Sequence, residues 1–388
     1  MNDRFNEGMA EATRLTRAGK LAEATALIRR LMGGDGAAPR PTGARPPALH
    51  DPRIIDADYV TVGVEPAAEP EAAEAPRRRS GLGDTLREMA AKARAAQQAH
   101  TARAPAPVEV PPGASFDLKS FSDAAGSRRY RLYVPSIRRE ESLPLVVMLH
   151  GCTQTPEDFA AGTGMNRLAE ELGFLVAYPE QPRTANQNGC WNWFEAAHQR
   201  PGAGEPGLIA GIARQIMRDH RVDPARVFVA GLSAGGAMAA VLGNAHPELF
   251  RAVGVHSGLP AGAARDLPGA FAAMRQGGEG AAMRVPAIVF HGDRDGTVSP
   301  RNADALLRDA GRGRAEKGNA GGRSYTRHVH TDGTGRVRAE GWRIHGAGHA
   351  WSGGSAAGSY ADPSGPDASR EMLRFFLAVT AAGDGTVS

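Results

Sequence analysis

The stretch that decides the fold runs Asp223-Pro224-Ala225-Arg226-Val227-Phe228-Val229-Ala230-Gly231-Leu232-Ser233-Ala234-Gly235-Gly236-Ala237-Met238-Ala239-Ala240. Val227 to Ala230 is an apolar run of strand length, and Ala237 to Ala240 is built of strong helix formers. Between them lies Gly-x-Ser-x-Gly. Small residues on both sides let the backbone turn sharply from strand to helix, which lifts the Ser233 hydroxyl above the end of a sheet. In a chain with 49 glycines the five-residue pattern alone carries little weight. The strand before it and the helix after it make Ser233 a candidate nucleophile.

Outward from this stretch the same signature repeats. Arg129 to Val134, Leu143 to Leu149, Phe174 to Tyr178, Ala252 to His256, Pro286 to His291 and Glu340 to Ile344 read as strands. The near-continuous Leu and Val of 143 to 149 predict a strand covered on both faces. Helical stretches are expected at Gly207 to His220, Ala234 to Ala245, Ala303 to Ala310 and Ala368 to Val379. Strands alternating with helices predict an α/β fold, a mostly parallel sheet with helices on both faces, and chemistry at the carboxyl ends of the strands.

A serine hydroxyl needs a histidine base, and that base needs a carboxylate to orient it. In a strand-turn-helix hydrolase the order along the chain is Ser, acid, His. The strand ending at His291 is followed by Gly292-Asp293-Arg294-Asp295-Gly296. Asp295 lies beyond the strand end and is the preferred acid, with Asp293 as rival, since a carboxylate so close to the turn often bonds its own backbone. His349, in Gly346-Ala347-Gly348-His349-Ala350-Trp351, sits on a small-residue loop and is the candidate base; His345 and His256 are the alternatives. The strand at 143 to 149 runs into His150-Gly151-Cys152, so the amides of Cys152 and Ala234 are the expected oxyanion donors. Together these expectations describe an α/β-hydrolase fold.

The rest of the chain looks different. Met1 to Met32 reads as a helical hairpin through Phe5, Met9 and Ala12, then Leu21, Ala24, Ile28 and Leu31. Residues 33 to 113 have the Ala, Pro, Gly and Arg composition of a linker, with a short extended piece at Ile54 to Val64 and a helix at 80 to 100. The catalytic domain is expected at 114 to 380, preceded by this helical and partly disordered extension, which would dock to a granule or a partner. The net charge of +4 rests almost wholly on Arg, with Lys at 20, 92, 119 and 317, and is spread along the chain. It does not predict a nucleic-acid surface. No run approaches the length of a transmembrane helix. Charged residues Asp3, Arg4, Glu7 and Glu11 stand where a signal peptide would need an apolar core.

Several motifs, in order, resemble one family. Leu149-His150-Gly151-Cys152-Thr153-Gln154-Thr155, Tyr178-Pro179-Glu180-Gln181, Gly189-Cys190-Trp191-Asn192-Trp193-Phe194, the serine stretch, and Gly348-His349-Ala350-Trp351 are similar to the poly(3-hydroxybutyrate) depolymerase family of esterases, itself related to feruloyl and acetylxylan esterases. The likeness runs from about Ser115 to Val379. It implies hydrolysis of short-chain polyhydroxyalkanoate or its oligomers through an acyl-enzyme on Ser233, without metal or cofactor. It also implies a Cys152 to Cys190 disulfide, and an apolar acyl cleft lined by Trp191, Trp193 and Trp351. Feruloyl or acetylxylan esterase activity is the alternative, and a granule- or surface-binding protein with an inert hydrolase fold is the alternative of another class. The resemblance points to an extracellular protein, the absent signal pattern to a cytoplasmic, granule-associated one, and the sequence leaves both open.

Overall fold

The computed structural model describes residues 107–137 and 141–381. The expected N-terminal hairpin, and most of the expected linker with its extended piece and helix, lie outside the described residues.

Ten strands form one sheet. They are β1 (Ser115–Asp123), β2 (Gly126–Val134), β3 (Leu143–Leu149), β4 (Leu175–Pro179), β5 (Val222–Leu232), β6 (Ala252–His256), β7 (Ala287–Gly292), β8 (Arg312–Ala320), β9 (Arg323–Thr331) and β10 (Val337–Ile344). Their order is β1-β2-β4-β3-β5-β6-β7-β10-β9-β8. From β4 to β10 every neighbouring pair is parallel, while β1, β2, β9 and β8 join antiparallel at the two edges.

The helices α1 (Pro156–Thr163), α2 (Met165–Leu172), α3 (Gly204–Asp219), α4 (Ala234–Ala245), α5 (Leu267–Gln276), α6 (Arg301–Leu307) and α7 (Ala368–Ala381) cover both faces. Alternation along the strands feeds two separate cores. Leu145, Val147 and Leu149 of β3 pack with Ile209 and Ile212 of α3 and Met238 of α4. Val146 and Met148, pointing the other way, pack with Phe159 of α1, Leu168 of α2 and Phe375 and Phe376 of α7. A strand buried on both faces must be apolar at every position, which is why β3 reads as an unbroken run.

The chain leaves β3 for β4 on one side, then returns past β3 to β5 on the other. The reversal opens a crevice beyond the carboxyl ends of β3 and β5. Cys152 follows the first of these strands and Ser233 the second, so topology alone brings both to one place.

Sequence reading did not foresee the β8–β9 hairpin, α1, α2 or α5. It expected a helix at 303 to 310 where α6 spans Arg301–Leu307.

Candidate active site

Ser233 sits at φ 57° and ψ −118°, a left-handed conformation that costs an L-residue energy and persists only where the surroundings enforce it. Two glycines enforce it here. A Cβ on Gly235 would fall deep inside the carbonyls of Leu149 and His150, and one on Gly231 would overlap the Gly235 backbone. The end of β3 therefore presses directly against the turn. The Ser233 amide donates to the His256 carbonyl at 2.9 Å, and the Ser233 carbonyl accepts the first bond of α4 from Ala237 at 2.9 Å.

The loop after β3 lies beside the serine. A Cβ on Gly151 would stand 3.6 Å from Ser233 Cβ. Gln154 fixes this loop, its Oε1 accepting the Gly151 amide at 2.9 Å while its Nε2 donates to Asp158 Oδ2 at 2.8 Å. Buried His150 braces it from below: Nδ1 donates to the Gly151 carbonyl at 2.8 Å and Nε2 accepts the Gln181 amide at 3.1 Å. Burial pushes the His150 imidazole below its ordinary value, in keeping with that neutral role. Among the described residues, the Cys152 and Ala234 amides donate no hydrogen bond to protein. Cys152 follows Gly151 on this loop, and Ala234 opens α4 directly after the serine.

A Cys152–Cys190 disulfide joins this loop to the segment beyond β4. That segment is held by Glu205, fully buried in the first turn of α3. Its carboxylate accepts the Asn192 amide at 2.8 Å, Asn192 Nδ2 at 2.7 Å and Gln181 Nε2 at 2.5 Å. Sequence reasoning missed Glu205. The available signal was an acidic residue opening a helix, where the positive end of the helix dipole favours it.

On the loops after β7 and β10, Asp295 Oδ2 lies 2.7 Å from His349 Nδ1. The amides of Thr297 and Val298 each donate to Asp295 Oδ1 at 2.9 Å. Burial opposes the charge of Asp295, but hydrogen bonds from His291 and His349, the His349 charge and the Val298 amide outweigh it. The carboxyl is held far below the usual range. Asp293 bonds elsewhere, accepting from His345 Nδ1 at 2.8 Å and the Gly346 amide at 2.7 Å, while Thr326 Oγ1 meets His345 Nε2 at 2.9 Å. The two Asp-His pairs are thus separate. The hydrogen bonds of His349 and Ser233 do not include one between Ser233 Oγ and His349 Nε2.

His256, the third histidine weighed from sequence, is fully buried with both ring nitrogens engaged. Nε2 accepts the Ser352 amide at 3.0 Å and Nδ1 meets Ser257 Oγ at 3.2 Å. The tryptophans are also placed. Trp191 is buried and gives its indole N–H to the His150 carbonyl at 3.1 Å; Trp351 is buried against Phe159 and His256 and gives its own to Ser369 Oγ at 3.0 Å. Core packing accounts for both, and Trp193, 5% exposed, retains a little open surface. Among the described residues, no group of three or more His, Cys, Asp or Glu side chains is placed to hold a metal ion, and no helix is long and apolar enough to cross a membrane.

A largely parallel sheet with helices on both faces, a strained serine on the turn after β5, and an Asp-His pair on the loops after β7 and β10 define an α/β-hydrolase fold. Among solved structures, acetyl xylan esterase from Aspergillus awamori matches 67% of this chain and 99% of its own at a TM-score of 0.52 and 21% identity, a likeness of fold. The chain belongs to the family described as Esterase PHB depolymerase, whose sequence model matches residues 128–326, a span holding Ser233 and Asp295 and ending before His349. Poly(3-hydroxyalkanoate) depolymerase C of Paucimonas lemoignei is 33% identical over 206 residues, 49% of this chain and 49% of that protein. Poly(3-hydroxybutyrate) depolymerase of Ralstonia pickettii is 30% identical over 240 residues, 54% of this chain and 48% of that protein. Acetylxylan esterase A of Talaromyces purpureogenus is 28% identical over 215 residues, 50% of this chain and 55% of that protein. The chain spans about half the length of these curated relatives.

Proposed function

We propose that this chain is a serine carboxylic ester hydrolase that cleaves short-chain hydroxyalkanoate esters, as polymer or oligomers, through an acyl-enzyme. The observation that supports the reading is the buried Asp295 bonded to His349, together with a serine held at a positive φ on the turn after β5.

In this reading Ser233 Oγ attacks the ester carbonyl carbon and its proton passes to His349 Nε2, while Nδ1 keeps its proton and donates it in a hydrogen bond to Asp295. The oxyanion accepts from the Cys152 and Ala234 amides. His349 then protonates the departing alcohol, leaving the acyl group on Ser233; water, deprotonated by the same nitrogen, attacks the acyl carbon, and that proton returns to Ser233 Oγ as the acid leaves. Asp295 orients the ring and offsets the positive charge that forms on it. The hydrogen bonds that hold its carboxyl far below the usual range keep it ionised throughout.

A second reading, deacetylation of xylan-type polysaccharide, is favoured by the likeness to acetylxylan esterase A. Triad chemistry does not separate the two, because loops shape the alcohol side of the cleft. Rates on hydroxybutyrate trimer, acetylated xylo-oligosaccharide and methyl ferulate decide. A preference for the trimer is expected; a preference for the acetylated sugar or the ferulate overturns the substrate assignment and leaves the ester chemistry standing.

A further inference from the structure

Asp295 faces a second imidazole. His291, near the end of β7, is 2% exposed, and its Nε2 lies 2.9 Å from the Val298 carbonyl and 3.3 Å from Asp295 Oδ2. A carbonyl oxygen can only accept, so this nitrogen carries the ring proton. Nδ1 of His291 is buried without a hydrogen-bond partner, as suits a bare lone pair better than a second N–H. Oδ2 of the carboxylate therefore meets His349 on one side and the positive end of the His291 N–H on the other.

Resting on the esterase reading above, we propose that His291 is a positioning residue: acting through Asp295, it limits how strongly the carboxylate favours the protonated form of His349. The charge on Oδ2 is what stabilises the imidazolium, and a donor beside that oxygen draws part of the charge away. The hydrogen bond from His291 is among the influences that keep Asp295 acidic. The other titratable groups around the pair are His256 on β6 and Asp293 with His345 on the same two loops, and none of these is hydrogen-bonded to Oδ2. A base held too firmly in its charged form is a poor base at neutral pH.

The test is the titration of His349 followed by NMR of the imidazole nitrogens in the full chain, which needs no substrate, together with the acid limb of kcat/KM. In His291→Leu both midpoints are expected to rise by about half to one pH unit, the scale of one lost charge-assisted contact. His291→Gln, whose amide nitrogen can reach the same place, should restore values near wild type. A packing role alone would change the melting temperature or kcat and leave the midpoints still. Unmoved midpoints in His291→Leu, or a Gln variant that matches the Leu variant, overturn the proposal. Should His291→Leu lose its cooperative melt, His291→Asn is read by the same criterion. If His349 titrates as expected but wild type cleaves no ester, the failure lies with the esterase reading and not with His291.

Discussion

The carbonyl of His256 accepts the Ser233 amide at 2.9 Å, while the ring of the same residue accepts the Ser352 amide at 3.0 Å. One buried residue, through its backbone carbonyl and its ring, thus ties the serine turn to the segment just past His349. Burial first, then the neighbouring imidazoles, lower its value from 6.5 to about 3, with Asp295 opposing. The unfolded chain takes up this proton near 6.5 and the folded one resists until about 3. Stability should therefore fall as pH drops through that window, by up to about 1.4 kcal/mol per pH unit from this group. Denaturant unfolding at pH 7, 5 and 4 should show a smaller loss in His256→Gln than in wild type.

Gly235 leaves no room for a side chain, because the carbonyls of Leu149 and His150 occupy the place of a Cβ. Backbone cannot swing aside as a flexible side chain can. Gly235→Ala is expected to cost about 3 kcal/mol or more, or to prevent folding, whereas Ala at solvent-exposed Gly296, which has nothing within contact distance, should change the melting temperature little. Thermal melts of the two variants check this.

The Cys152–Cys190 disulfide closes a loop with a sequence separation of 38. Chain entropy assigns such a crosslink about 4 kcal/mol, subject to relief elsewhere. Reduction, or the paired change to Ala, should lower stability by about 2–4 kcal/mol. Activity should fall as well, because Cys152 carries a proposed oxyanion amide; kcat with KM, measured before and after reduction below the melting temperature, tests both effects.

Two aspartates two residues apart are predicted to behave unlike each other. Asp295→Asn should lower kcat about a thousandfold or more, since the amide presents the wrong partner to His349 Nδ1–H. Asp293→Asn keeps a polar group against His345 and Gly346 and should cost less than about tenfold. Steady-state kinetics on p-nitrophenyl butyrate separates them, and equal losses would remove the distinction between the two pairs.

Much of this arrangement was legible in the sequence for one physical reason. In a parallel sheet the strands are buried on both faces, so β3, β5, β6 and β7 appear as apolar runs, and the residues just after each run land on one edge of the sheet. Cys152, Ser233 and Asp295 each follow such a run, and His349 follows the strand read at Glu340 to Ile344, which makes them candidates from the sequence alone. The β8–β9 hairpin escaped because its strands are largely half-buried or exposed and carry Arg, Lys, Gly and His in place of an apolar alternation. Helices α1 and α2 escaped because each spans eight residues, too few for a periodic pattern to stand out. The supports of the site were hidden for a different reason. His150, Glu205, His256 and His291 act through bonds to groups far along the chain, such as Gln181, Asn192 and Ser352, and no local pattern records such partners.

The central claim is that Ser233 is the nucleophile of an ester hydrolase. Its most direct test is kcat/KM on p-nitrophenyl butyrate for wild type and Ser233→Ala, with mass spectrometry locating the adduct of a fluorophosphonate probe. A loss of about a thousandfold or more in Ser233→Ala, with the wild-type adduct on Ser233, is the predicted result. Retained activity in the variant, an adduct on another residue, or an inactive wild type would contradict it.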